Sequence, residues 1–155
     1  MNHPNPLLTI QVTLSPDAGK PSGYEFRYTS DSPLVTAEGN IDLSNFGHDD
    51  VDLKFVLMPM EGGGQPVYPD DVEDAIWFVK WPKGNPPPAP CPSSSGHANS
   101  SFKDFELPDA TTLSFTDKNN DNQRYAYALR CRVPPSNAIV MDDPVIINKI
   151  GSGSG

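Results

Sequence analysis

Leu7-Leu8-Thr9-Ile10-Gln11-Val12-Thr13-Leu14 sets Leu8, Ile10, Val12 and Leu14 on every second residue, with Thr9, Gln11 and Thr13 between them. Side chains alternate faces along a strand, so a period of two makes one row apolar and the other polar. That is the pattern of a half-buried strand. Ser15-Pro16-Asp17-Ala18-Gly19-Lys20-Pro21-Ser22-Gly23 follows with turn chemistry, and Tyr24, Phe26 and Tyr28 then alternate with Glu25, Arg27 and Thr29. The two strands are predicted to form a hairpin.

The rhythm continues along the chain. Leu34–Ala37 and Ile41–Leu43 are weaker extended segments, and Val51, Leu53, Phe55 and Leu57 mark a clear strand that Pro59 ends. In Asp70–Trp81, Asp70-Asp71-Val72-Glu73 resembles a capping box, while Ile76-Trp77-Phe78-Val79 is rich in strand formers. We expect a short turn running into a strand over Ala75–Trp81. Residues 82–101, with Pro86-Pro87-Pro88 and Ser93-Ser94-Ser95, are predicted as polyproline or irregular loop. Strands follow near Phe102–Leu107, Thr112–Phe115, Arg124–Val133, Ala138–Met141 and Val145–Asn148, with a hairpin tip at Asp117–Asn122. Eight or nine short strands punctuated by turns predict an all-β, antiparallel, immunoglobulin-like sandwich, a closed barrel being the alternative.

Composition agrees with many short elements: of 155 residues, 12 are Gly and 18 are Pro. One domain over residues 1–150 is expected, with Gly151–Gly155 as a linker or fusion remnant. A formal charge of −9 leaves no concentrated basic face for nucleic acid and would be repelled by an anionic membrane surface. Neither a signal peptide nor a run of roughly 20 apolar residues is present. Cys91 and Cys131 alone make no metal site, and a disulfide between them stays open.

The closing stretch Asp142-Asp143-Pro144-Val145-Ile146-Ile147-Asn148, with the strand at Leu7–Ser15 and the run Tyr125–Arg130, resembles the small bacterial DP-EP family. That resemblance implies an immunoglobulin-like sandwich of bacterial, intracellular (cytoplasmic) origin. It implies no activity and no catalytic residue.

Chemistry-bearing clusters each have a plainer explanation. Asp117, Asn119 and Asp121 occupy positions 1, 3 and 5 of a calcium loop, but Asn122 and Ala128 stand where an EF-hand needs Gly and Glu. His48, Asp49, Asp50 and Asp52 suit a solvated acidic loop better than a metal site. Cys91 has only His97 near it to activate a thiolate. Asn148 sits where a Lys–Asn crosslink would form, yet the first strand holds no lysine. No catalytic residue, cofactor or metal is therefore expected.

Trp77 and Trp81 share a strand face, opposite Ile76 and Phe78, so that strand is apolar on both sides. It is either a covered central strand, the favoured reading, or a ligand or partner surface formed with Asp70, Asp71 and Glu73. The expected function is a non-enzymatic module that binds a protein partner or self-assembles through a sheet edge or the tryptophan face. The alternative is a small-molecule or carbohydrate-binding domain using Trp77 and Trp81.

Overall fold

In the computed structural model, the described residues are 5–20, 23–47, 49–61, 63–80, 101–119 and 123–148. The alternating stretches become strands: β1 (Leu7–Pro16), β2 (Tyr24–Ser30), β3 (Ile41–Asp42), β4 (Val51–Leu57), β5 (Ile76–Lys80), β6 (Phe102–Asp109), β7 (Thr112–Asp117), β8 (Arg124–Val133), β9 (Ala138–Asp142) and β10 (Val145–Ile147). One helical turn, α1 (Val72–Ala75), precedes β5. The reading of Asp70–Trp81 as a turn entering a strand matches this, with the strand starting at Ile76. The Pro/Ser-rich stretch, apart from Ser101, and the Gly/Ser tail lie outside the described residues.

The strands form two packed sheets, ordered β2-β1-β4-β7-β6 and β3-β10-β8-β5, with β9 also paired to β8. The sheets are mixed, which corrects the expectation of an antiparallel sandwich: β1 runs parallel to β4 and β3 parallel to β10. Alternation fixes which face a side chain takes but not the direction of the neighbouring strand, so periodicity carries no signal for this. The predicted β1–β2 hairpin is present, with Val12 opposite Tyr28 and Leu14 opposite Phe26.

A second correction concerns residues 117–122. Strand β7 is flanked by β4 and β6, so it has no edge for β8, which lies in the other sheet. The connection after Asp117 therefore crosses the sandwich and is not a hairpin tip. The hairpin partner of β7 is β6, and at their turn Asp109 Oδ1 accepts the Thr111 N–H at 2.9 Å.

The fully buried apolar rows face inward between the sheets. Ile10, Val12, Leu53, Phe55 and Leu113 of the first sheet meet Ile76, Tyr125, Tyr127, Leu129 and Ile146 of the second, all fully buried. The centre is aromatic: Phe78 stacks on Phe102 with ring centroids 3.9 Å apart, and Phe55 lies 5.9 Å from Tyr127. Buried aromatic pairs of this kind add stabilisation beyond the area they remove from water. The phenols find partners, as buried hydroxyls must: Tyr68 donates to the Phe55 carbonyl at 3.1 Å and Tyr127 to the Gly39 carbonyl at 2.5 Å.

One register runs through β9 and β10. Leu129 lies opposite Asp142 and Ala126 opposite Val145, so Asp143-Pro144 interrupts the strand without shifting it. Pro144 has no N–H to give, but its carbonyl still accepts from Tyr127 N at 2.9 Å.

Candidate functional site

The two outer faces of the sandwich differ. On the first sheet, β1 presents Thr9, Gln11 and Thr13 and β4 presents Asp52 and Lys54. On the second, alternation turns outward Trp77 and Val79 of β5, Ala126, Ala128, Arg130 and Arg132 of β8, and Ile139 and Met141 of β9. Among the described residues β5 ends its sheet's order, which corrects the favoured reading of a covered central strand: Trp77 lies on the outer face of the second sheet, while Ile76 and Phe78 point into the core.

Trp77 is half-buried. Its indole Nε1–H donates to the Glu73 carbonyl at 3.1 Å, tying β5 to α1. The Arg130 guanidinium lies over the ring, 3.8 Å from its centroid, and donates from Nη1 to the Asp74 carbonyl at 2.8 Å. A cation on an indole face is attractive through the ring quadrupole. Burial of the guanidinium pulls its pKa below the usual arginine value. Asp70, Asp71 and Glu73 are exposed around α1; Asp71 is its N-cap position but makes no side-chain cap bond. Of the residues expected to act together, the structure joins Trp77 with the main chain of Glu73, and Trp81 lies outside the described residues.

Two features escaped sequence reasoning. The first is the edge of β9. The bond from Tyr127 N to Pro144 shows that even-numbered residues of this strand face β8. Odd-numbered residues face away, and Val145 N, on that far side, donates to Asn40 Oδ1 at 3.1 Å. Ile139 and Met141 therefore turn their main-chain groups outward, and among the described residues no strand pairs with that side of β9. The strand is Ala138-Ile139-Val140-Met141-Asp142, with Ile139 39% exposed.

The second is a polar node linking the sheets. The Tyr28 hydroxyl of β2 donates to Asp142 Oδ2 at the end of β9, at 2.9 Å. Burial raises the Asp142 pKa, only partly opposed by that bond and by Lys20. Burial likewise pushes Tyr28 and Tyr127 well above the usual phenol value. The Tyr28 ring packs directly on Gly39, whose φ of +87° suits glycine. Above Asp142 opens a cleft of about 160 Å³, bordered by Lys20, Tyr24, Phe26, Arg27 and Glu38.

The described members of the remaining clusters take ordinary structural roles. Asp117 is fully buried and its Oδ1 accepts the Asn119 N–H at 2.9 Å, with Asn119 in the left-handed region. Asp52 accepts from Thr116 at 2.7 Å and Asp50 pairs with Lys103 at 3.5 Å. His48, Cys91, His97 and Asp121 lie outside the described residues. Among the described residues no group of three or more His, Cys, Asp or Glu is placed to hold a metal ion. Cys131 is a free, buried thiol whose pKa burial raises to about 12. No helix of the described residues is long and apolar enough to cross a membrane. No family model matches the chain, and no curated protein sequence matches it.

Proposed function

We propose that the chain is a non-enzymatic, immunoglobulin-like, cytoplasmic interaction module that self-associates through the open edge of β9. The immunoglobulin-like assignment draws support from the connections: β2 to β3, β4 to β5, β5 to β6 and β7 to β8 each pass from one sheet to the other, as in Greek-key sandwiches. A free, buried Cys131 suits a reducing compartment.

The observation that carries self-association is the composition of β9. Exposed strand edges are ordinarily blunted by lysine, proline, a bulge or a covering segment. Ala138-Ile139-Val140-Met141 has neither lysine nor proline, and its pairing to β8 is free of register shifts. A second copy docking antiparallel, with Ile139 opposite Met141 of its partner, forms four main-chain hydrogen bonds about a two-fold axis at Val140. The apolar outer face beside it, with Val145 and the Trp77–Arg130 stack, extends the contact. So small an interface is weak, with a dissociation constant on the order of 100 μM.

Sedimentation equilibrium tests this, with Ile139→Lys as the probe. The wild type is expected to shift from monomer to dimer with concentration, and the variant to stay monomeric at an unchanged melting temperature. A wild type monomeric to about 1 mM sinks the proposal. Ring stacking of a ligand on Trp77 is the weaker reading, since Arg130 already occupies one face of the indole.

A further inference from the structure

The cleft above Asp142 opens at the C-terminal end of β9 and has its own chemistry. It forms where three elements meet: the turn before β2 supplies Lys20, β2 supplies Tyr24, Phe26 and Arg27, and the loop after β2 supplies Glu38. Asp142 makes the floor, its carboxyl oriented by the Tyr28 hydroxyl. We propose that this cleft binds a small neutral polyhydroxylated molecule, a single sugar ring or a polyol of that size.

Size sets the first limit. A volume of about 160 Å³ is half or less of what drug-sized ligands occupy, and holds about five waters or one six-membered ring. Charge sets the second. Arg27 and Glu25 neutralise each other at 2.8 Å, which leaves Lys20 against Glu38 and Asp142. The exposed Lys20 and Glu38 offset each other and Asp142 is already bonded to Tyr28, so neither an anion nor a cation finds an unopposed counter-charge. A neutral ligand meets no opposing charge.

Hydrogen bonding sets the third. Tyr28 N–H leaves β2 on the side away from β1, toward the Ala37 carbonyl at 2.9 Å. Phe26, two residues earlier, turns its main-chain N–H and C=O to that same side, where the cleft lies. The cleft is therefore lined by a peptide donor and acceptor, carboxyl groups and an ammonium group. Vicinal hydroxyls, each donor and acceptor at once, match that mixture. The half-buried Tyr24 ring on the wall provides an apolar surface for the C–H face of a sugar.

The test is a two-dimensional amide NMR titration of the full chain with common neutral hexoses, pentoses and inositol, run beside glucosamine and glucuronate. At least one neutral member is expected to give saturable shifts confined to Lys20, Tyr24–Arg27, Ala37–Glu38 and Asp142, with a millimolar dissociation constant, as fits about a dozen heavy atoms. Lys20 and Glu38 are exposed, so the double variant Lys20→Ala/Glu38→Ala should fold normally and bind at least fivefold more weakly. Non-saturating shifts with every neutral compound up to about 100 mM overturn the proposal. So does unchanged binding by the double variant, or a charged sugar that binds tenfold tighter than its neutral parent. Lys20, Tyr24–Arg27 and Glu38 lie outside β9, so their shifts report the cleft alone and failure there leaves the β9 proposal standing.

Discussion

Gly39→Ala is the substitution whose effect the structure specifies most closely. Gly39 sits at φ +87°, where an L-residue pays roughly 1–2 kcal/mol. An added Cβ would also lie 2.6, 2.7 and 2.8 Å from three carbons of the Tyr28 ring. Real Cβ atoms do not approach that closely, so the ring must move, and it is buried with 3% exposure. Moving it loosens the Tyr28–Asp142 bond, about 1.5–3 kcal/mol where the acceptor is charged. The Tyr127 bond to the Gly39 carbonyl is disturbed as well, for about 1 kcal/mol more. Reduced freedom of the unfolded chain returns about 0.4–1 kcal/mol. The net loss is about 2.5–5.5 kcal/mol, or a melting temperature lower by roughly 5–22 °C for a domain of this size.

Gly23→Ala is the internal control. Gly23 has φ +83°, nearly the same, but a Cβ there meets nothing within 4 Å. Only the backbone component, roughly 1–2 kcal/mol less the same unfolded-chain gain, applies to it. Urea denaturation of both variants, with equal m-values, separates the steric contribution from the conformational one. Equal losses for the two variants would refute the packing of Tyr28 against Gly39, and with it the node that holds β2 to β9.

Other expectations can be checked alongside. Because burial raises the Asp142 pKa, its contribution is fully present below the ordinary carboxylate pKa and is lost as pH rises through the raised value. Asp142→Asn should therefore remove a stability decline seen in the wild type between acid and neutral pH, measured by urea midpoints; superimposable pH profiles would count against it. Phe78→Ala, which empties the ring stacked on Phe102, should lose about 3–5 kcal/mol by the same method. Cys131, buried and with its thiol raised to about 12, should resist iodoacetamide at pH 8 in the folded protein and react only on unfolding. Rapid native labelling of Cys131 in a peptide map would contradict its placement in the core.

What the sequence disclosed follows from what alternation encodes. Leu8–Leu14, Tyr24–Tyr28, Val51–Leu57 and Tyr125–Leu129 each show a strand and its inward face, and each lies where expected. The direction of pairing was hidden, because β1 beside β4 carries the same pattern whether parallel or antiparallel. The Asn/Asp-rich segment after β7 looked like a hairpin tip, yet its left-handed Asn119 serves a crossing between sheets. Trp77 was legible as an apolar outlier, but its Arg130 cover comes from a neighbouring strand 53 positions along. Asp142 and Tyr28, 114 residues apart, meet only once the sheets stack. Met141 was visible as part of a strand, and nothing local marked that strand as an open edge.

Hydrogen exchange at two amides tests the β9 edge most directly. If chains pair there, Ile139 and Met141 N–H should gain protection as protein concentration rises through the dimer range, and Ile139→Lys should abolish the gain. Exchange at both positions that stays independent of concentration, in a sample that sedimentation shows to be dimeric, would place the contact elsewhere.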